Sequence, residues 1–187
     1  EKNYLSYFET KNQPESVKSR LVQARLVRLM QVSTNPSLLK KPIVDYFEDD
    51  VITETFIDDS EILNKILIYD TLEIPTKFVE AKALIEQILA SGEKVVVWAI
   101  FIQNIIDFQQ YLSANRINSE ILYGATPIET DDLDPSIRTR EKIIADFHKP
   151  NSSIKVLIAN PFAVSESISL HKACHNAIYL ERSFNAA

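Results

Sequence analysis

Lys94-Val95-Val96-Val97-Trp98-Ala99-Ile100-Phe101 is the stretch on which the fold turns. Its β-branched and aromatic residues run without polar alternation, the pattern of a strand covered on both faces rather than wetted on one. A strand of that kind needs helices above and below it, and the flanking sequence offers them. Upstream, Thr76 is placed to cap a helix whose apolar stripe is Phe78, Ala81, Leu84, Ile85, Ile88 and Leu89, with Gly92 closing it. Downstream, Ile102 to Leu112 carries apolar residues at helical spacing.

The alternation continues to the end of the chain. Glu120 to Tyr123 reads as a short strand ending at Gly124. Asp134 and Pro135 mark a helix start, with Ile137, Ile144 and Phe147 on one side. Ile154 to Ala159 and Ala177 to Leu180 are two further strands. Strands and helices in alternation predict an α/β fold: a mostly parallel sheet in a three-layer sandwich, with right-handed crossovers.

Residues 1–73 differ in character and are expected to form a helical lead-in and an acidic connection before the α/β domain of residues 74–187. Pro14-Glu15-Ser16 is a plausible helix start. The run Val17 to Gln31 is apolar on several sides, which predicts burial on more than one side, and it should end before Asn35-Pro36. Asp45 to Glu61 holds eight carboxylates with no lysine or arginine, a solvated connection by its charge pattern. No histidine, glycine turn or calcium-loop spacing accompanies those acids. Ile62 to Tyr69 adds a short helix.

Composition bounds the function. The formal charge of -6 argues against a dedicated, sequence-independent DNA-binding module, whose affinity rests on basic surface. It leaves room for a domain that touches a few phosphates within a larger machine. The single cysteine, Cys174, forbids an internal disulfide and suits a reducing, cytoplasmic setting. The longest apolar run, Val95 to Ile102, is eight residues, too short to span a bilayer, so no membrane partner is expected. The start at Glu1 and the stop after Ala187 are expected to be cuts in a longer polypeptide.

The order and wording of the segments resemble the second RecA-like lobe of Swi/Snf-type helicases, in a divergent bacterial or phage branch. Lys94 to Phe101 is similar to the family's fourth motif, an apolar strand followed by Phe-Ser-x-Phe. Ile121-Leu122-Tyr123-Gly124-Ala125-Thr126 resembles a strand ending in Gly-Ser-Thr. Arg140, Ile144 and Phe147 match its Arg-x-x-x-Ile-x-x-Phe. Asn160 to Leu170 is the ungapped counterpart of the fifth motif, and Ala177 to Ala186 resembles the following strand with Asp-x-x-Trp-Asn-Pro. Leu26 to Gln31 and Asn35-Pro36-Ser37-Leu38 resemble the segment that precedes this lobe. Three glycines of the fifth motif are replaced here by Val164, Ser165 and Ser167.

The resemblance implies half of two binding surfaces. Gly124, Thr126 and Arg140 would lie at the phosphate backbone of double-stranded DNA. Ser165, Glu166 and Ser167 would approach the nucleotide or the coupling interface. It implies ATP and Mg2+ as cofactors of the parent protein, and the N-terminal RecA-like lobe of the same parent chain as partner. In the family that first lobe supplies a glycine-rich loop ending in Gly-Lys-Thr/Ser and an Asp-Glu box. This chain contains neither, and it stops short of the arginine pair that follows Trp-Asn-Pro, so hydrolysis by the chain alone is not expected. Plainer readings stand beside these: a turn for Gly124, a helix arginine paired with Glu141 or Asp146 for Arg140, helix capping for Ser165 and Ser167. His171, Cys174 and His175 have the spacing of metal ligands without an evident fourth, and a helix end running into the last strand accounts for them. Trp98 reads as core rather than as a stacking platform.

Overall fold

The computed structural model describes residues 15–41, 60–134, 136–164 and 170–182, the side chains of 15–23 and 60 excepted. It divides into two compact units, 1–74 and 75–187.

In the first unit, helix α1 spans Glu15–Thr34 and stops, as expected, before Asn35-Pro36. Asn35 ends it by capping a 3-10 turn over Pro36–Leu39, its carboxamide accepting from the Ser37 N–H at 3.1 Å. Helices α2 (Ser60–Leu67) and α3 (Tyr69–Leu72) follow. The expectation of burial on several sides fails for the described part of α1: Leu26, Val27, Leu29 and Val32 are all exposed. The apolar residues there are spread around the helix, and the short turn beside it covers only a fraction of them. The acidic segment 45–59 lies outside the described residues.

The second unit is built on four strands, β1 (Val95–Trp98), β2 (Ser119–Leu122), β3 (Val156–Ala159) and β4 (Asn176–Tyr179). All pair in parallel, in the order β2-β3-β1-β4, so β1 sits inside the sheet as its sequence requires. Helices α4 (Thr76–Ala90) and α5 (Ile102–Ala114) cover one face: Phe78, Ile85, Ile105, Phe108 and Leu112 pack on Val95, Val97, Val156 and Ile158. Helices α6 (Arg140–His148) and α7 (Pro161–Val164) and the turn Leu170–Lys172 cover the other, where Ile143, Phe147, Val164 and Leu170 meet Val96, Leu122, Leu157 and Ala159. This is the α/β three-layer build, and it is consistent with the RecA-like expectation. Among the described residues no helix is long and apolar enough to cross a membrane.

Two helix starts differ from the expectation. Thr76 is the first helical residue of α4, and Pro75 occupies the cap position. Asp134 does not start α6. Its carboxylate accepts from the Ser136 N–H at 2.8 Å, which closes a local turn, and the helix waits for Thr139, whose hydroxyl accepts from the Lys142 N–H at 3.3 Å. A side chain that can satisfy its own backbone nearby competes with helix, and here it wins.

Helices α4 and α5 finish in the same way. Beyond α4, Gly92 (φ 83°) donates to Leu89 O and Glu93 to Ile88 O; beyond α5, Arg116 (φ 61°) donates to Ser113 O and Ile117 to Leu112 O. These are paired Schellman ends. Gly92 closes its helix as the sequence predicts, whereas Arg116 takes up a left-handed conformation that costs a side-chain-bearing residue about 1–2 kcal/mol.

Candidate functional site

In a parallel sheet every strand delivers the chain to the same edge, so the loops after β1, β2, β3 and β4 share one rim. Neighbouring strands β1 and β3 send their chains to opposite faces, β1 into α5 and β3 into α7. A reversal of that kind opens a crevice in which ligands of α/β sheets bind.

After β2, the turn Tyr123–Thr126 is closed by Thr126 N donating to Tyr123 O at 3.0 Å, while the Thr126 hydroxyl accepts from the Tyr123 N–H at 3.0 Å. Thr126 is buried, and its hydroxyl holds the turn. Gly124 is exposed, and a Cβ built there meets nothing within 4 Å, so neither its turn nor its packing requires glycine. Arg140 opens α6, its N–H donating to Pro127 O at 2.8 Å, which brings it to the corner formed by the β2 turn. Its Nε is buried without a hydrogen-bond partner. Asp146, one of the carboxylates expected beside it, pairs instead with Arg138 at 2.5 Å and Lys149 at 2.6 Å. Those two cations pull the Asp146 pKa down to about 2. Arg138, which the sequence did not single out, also reaches Glu120 of β2 at 3.0 Å. Gly124, Thr126 and Arg140 therefore share one corner. Ser165, Glu166 and Ser167 lie outside the described residues.

The crevice between β1 and β3 is bridged by Asn160. Its carboxamide donates to Ile100 O at 2.9 Å and accepts from the Phe162 N–H at 2.9 Å, and its own N–H donates to Leu122 O at 2.8 Å. On the β4 side, Glu181 is buried; it accepts from the Ile100 N–H at 2.8 Å and from the Asn104 carboxamide. Burial raises its pKa above the ordinary 4.5, partly offset by those two donors. The sequence placed Glu181 only as a match to the aspartate of Asp-x-x-Trp-Asn-Pro, and no local signal pairs it with Asn104, 77 positions away.

Over this rim lies a cleft of about 410 Å³, walled by Trp98, Ile100, Pro161, Phe162 and Tyr179, with Glu181 and Arg182 at its polar end. Phe162 is 68% exposed and Tyr179 53% exposed. The Arg182 guanidinium lies over the Tyr179 ring, 4.9 Å from its centroid. Trp98, the last residue of β1, is half-buried: it packs against the second core cluster and also lines this cleft. A larger, open hollow of about 790 Å³ lies at the opposite edge, around Gln110, Arg116 and Asn118, away from every matched motif. Cys174, far from the rim, is buried and its thiol donates to Lys94 O at 3.0 Å; burial pushes its pKa up.

No family model and no curated protein sequence matches this chain. Solved structures do. The C-terminal domain of a Sulfolobus solfataricus SWI2/SNF2 ATPase is similar at 18% identity, with a TM-score of 0.42 over 78% of this chain and 66% of that one. The C-terminal part of the Fun30 ATPase domain is similar at 20% identity, with a TM-score of 0.44 over 83% of this chain and 52% of that one. The chain thus spans about two thirds of the length of the first and about half of the second.

Proposed function

We propose that this chain is the second motor lobe of a Swi/Snf-type, nucleic-acid-stimulated ATPase, working only together with a first lobe. One observation carries the reading. The segments that resemble the family's motifs end, at Ile100-Phe101, Gly124-Ala125-Thr126, Asn160 and Glu181, just beyond the carboxyl ends of the four strands, and Arg140 opens α6 beside the second of them.

In this reading Gly124, Thr126 and Arg140 form a corner against the phosphates of double-stranded DNA. Arg140, its Nε unpaired and its helix start beside the β2 turn, brings the charge. Ser165, Glu166 and Ser167, next in sequence after α7, face the nucleotide in the same reading. ATP and Mg2+ are held mainly by the partner lobe, whose glycine-rich loop this chain does not contain. The compartment is cytoplasmic, and the source a bacterium or phage.

The test is DNA-stimulated ATP hydrolysis by the parent protein. Stimulation by duplex DNA, reduced about tenfold or more by Arg140→Ala, is the expected outcome, since a hydrogen bond to a charged group contributes about 1.5–3 kcal/mol. A parent without a Gly-Lys-Thr/Ser loop upstream and an arginine pair downstream would sink the proposal. ATPase-dead but DNA- or protein-binding behaviour would instead favour a degenerate scaffold lobe, the reading that the replaced glycines at Val164, Ser165 and Ser167 support.

A further inference from the structure

We infer that the rim cleft holds a nucleotide, with the nucleobase stacked beside Phe162 and the phosphate on Arg182. This rests on reading the carboxyl rim as nucleotide-facing, and assigns the base and phosphate to particular side chains of this chain.

The walls are the first argument. A cleft of about 410 Å³ is in the range of small-ligand sites, which are mostly apolar with a few polar groups at one end. Three of its walls are aromatic rings from separate segments: Trp98 from β1, Phe162 from α7 and Tyr179 from β4. Trp98 and Tyr179 are register partners on adjacent strands and so present rings on one face. Phe162 leaves 68% of its surface in water, a cost that ring stacking with a flat ligand would recover.

The charge is the second. Among the described residues Arg182 pairs with no carboxylate and lies on the Tyr179 ring, leaving the outer edge of its guanidinium open to a phosphate. Glu181, the carboxylate beside it, is turned inward and occupied by Ile100 and Asn104. A chain of net charge -6 therefore presents a cation at the polar end of an aromatic cleft, beside a carboxylate whose oxygens already accept from Ile100 and Asn104. A flat ring with an attached anion meets both features.

Trp98 makes the test direct, because it is the only tryptophan in the chain and it lines the cleft. Titration with AMP, adenosine and ribose 5-phosphate is followed by its fluorescence. AMP should quench saturably, adenosine more weakly, and ribose 5-phosphate not at all. Phe162→Ala, whose side chain is largely in solvent and whose fold is checked by circular dichroism, should weaken AMP about 5- to 150-fold, the range for a base stacked on one aromatic ring. Arg182→Ala should weaken AMP and leave adenosine unchanged. No saturable quenching at millimolar AMP, or an unchanged response in Phe162→Ala, overturns the inference. Equal responses to adenosine and AMP overturn the phosphate assignment, and a Trp98 shielded from acrylamide shows the cleft to be covered and overturns the whole. A parent with DNA-stimulated ATPase but no Trp98 response would keep the motor reading and lose this one.

Discussion

The sheet has two edges, and each buries one charged residue for a different purpose. At the amino edge, Lys94 sends its ammonium to Phe147 O and to Lys149 O at 2.7 Å, the orphan carbonyls at the end of α6. A cation at a helix C-terminus meets the negative end of the dipole, and the same ammonium lies over the Phe147 ring, 5.2 Å from its centroid. Two of the three ammonium donors are spent on the fold. At the carboxyl edge, Glu181 ties the β1–α5 loop to the end of β4, beside an open cleft and an arginine that pairs with no carboxylate among the described residues. The same kind of buried charge builds a helix end in one place and the floor of a site in the other. What surrounds it decides which.

That contrast is breakable in measurable ways. Lys94→Met should have the largest effect, about 2–4 kcal/mol lost in a urea titration, because carbonyls that bonded to a charged donor are left buried and unpaired. The variant should leave AMP affinity unchanged. If it weakened the cleft as much as the fold, the division between the edges would be wrong. Glu181→Gln should cost less, about 1 kcal/mol near neutral pH, since one carbonyl oxygen remains to accept from Ile100 or Asn104.

The two edges should also respond to pH in opposite directions. Glu181 has a raised pKa in the fold, so its contribution is present below about 4.5 and declines as pH rises through the higher folded value. Stability measured from pH 4 upward should show that decline in the native chain and not in Glu181→Gln. Asp146, at the Lys94 end of α6, is lowered from 3.8 to about 2, so its contribution is present above about 4 and is lost as pH falls toward 2. Asp146→Asn should flatten acid unfolding in that window; an unchanged acid limb would show that the pairs with Arg138 and Lys149 carry no stability.

The smallest effects belong to the paired helix ends. Arg116→Gly should stabilise by about 0.5–1 kcal/mol, because glycine enters the left-handed region without a Cβ clash, whereas Gly92→Ala should cost about 1 kcal/mol. Opposite signs from two nearly identical caps, read by thermal unfolding, would isolate the residue from the motif.

Local signals made much of this legible. The Val95–Trp98 strand, the stripe of α4, its Gly92 end and the stop of α1 before Asn35-Pro36 are all written in neighbouring residues. The start of α6 was misread because Asp134 and Thr139 carry equivalent capping chemistry, and only the fold chooses between them. The left-handed Arg116 has no signature at all. The cleft could not be read because its walls come from positions 98–100, 161–162 and 179–182, which only the parallel register brings together. Exposed Phe162 was the one cue: an aromatic residue just after Asn160-Pro161, beyond the end of a strand.

Ile100 gives the rim its mechanics. Its N–H is held by Glu181 from beyond β4, and its carbonyl by Asn160 from beyond β3, which in turn grips Leu122 at the end of β2. Four loops from four strands are thereby stitched through one residue that is itself neither charged nor reactive. Phe162, whose N–H is bonded to Asn160, and Arg182, next to Glu181, are thus both linked to Ile100, one through its carbonyl and the other through its N–H.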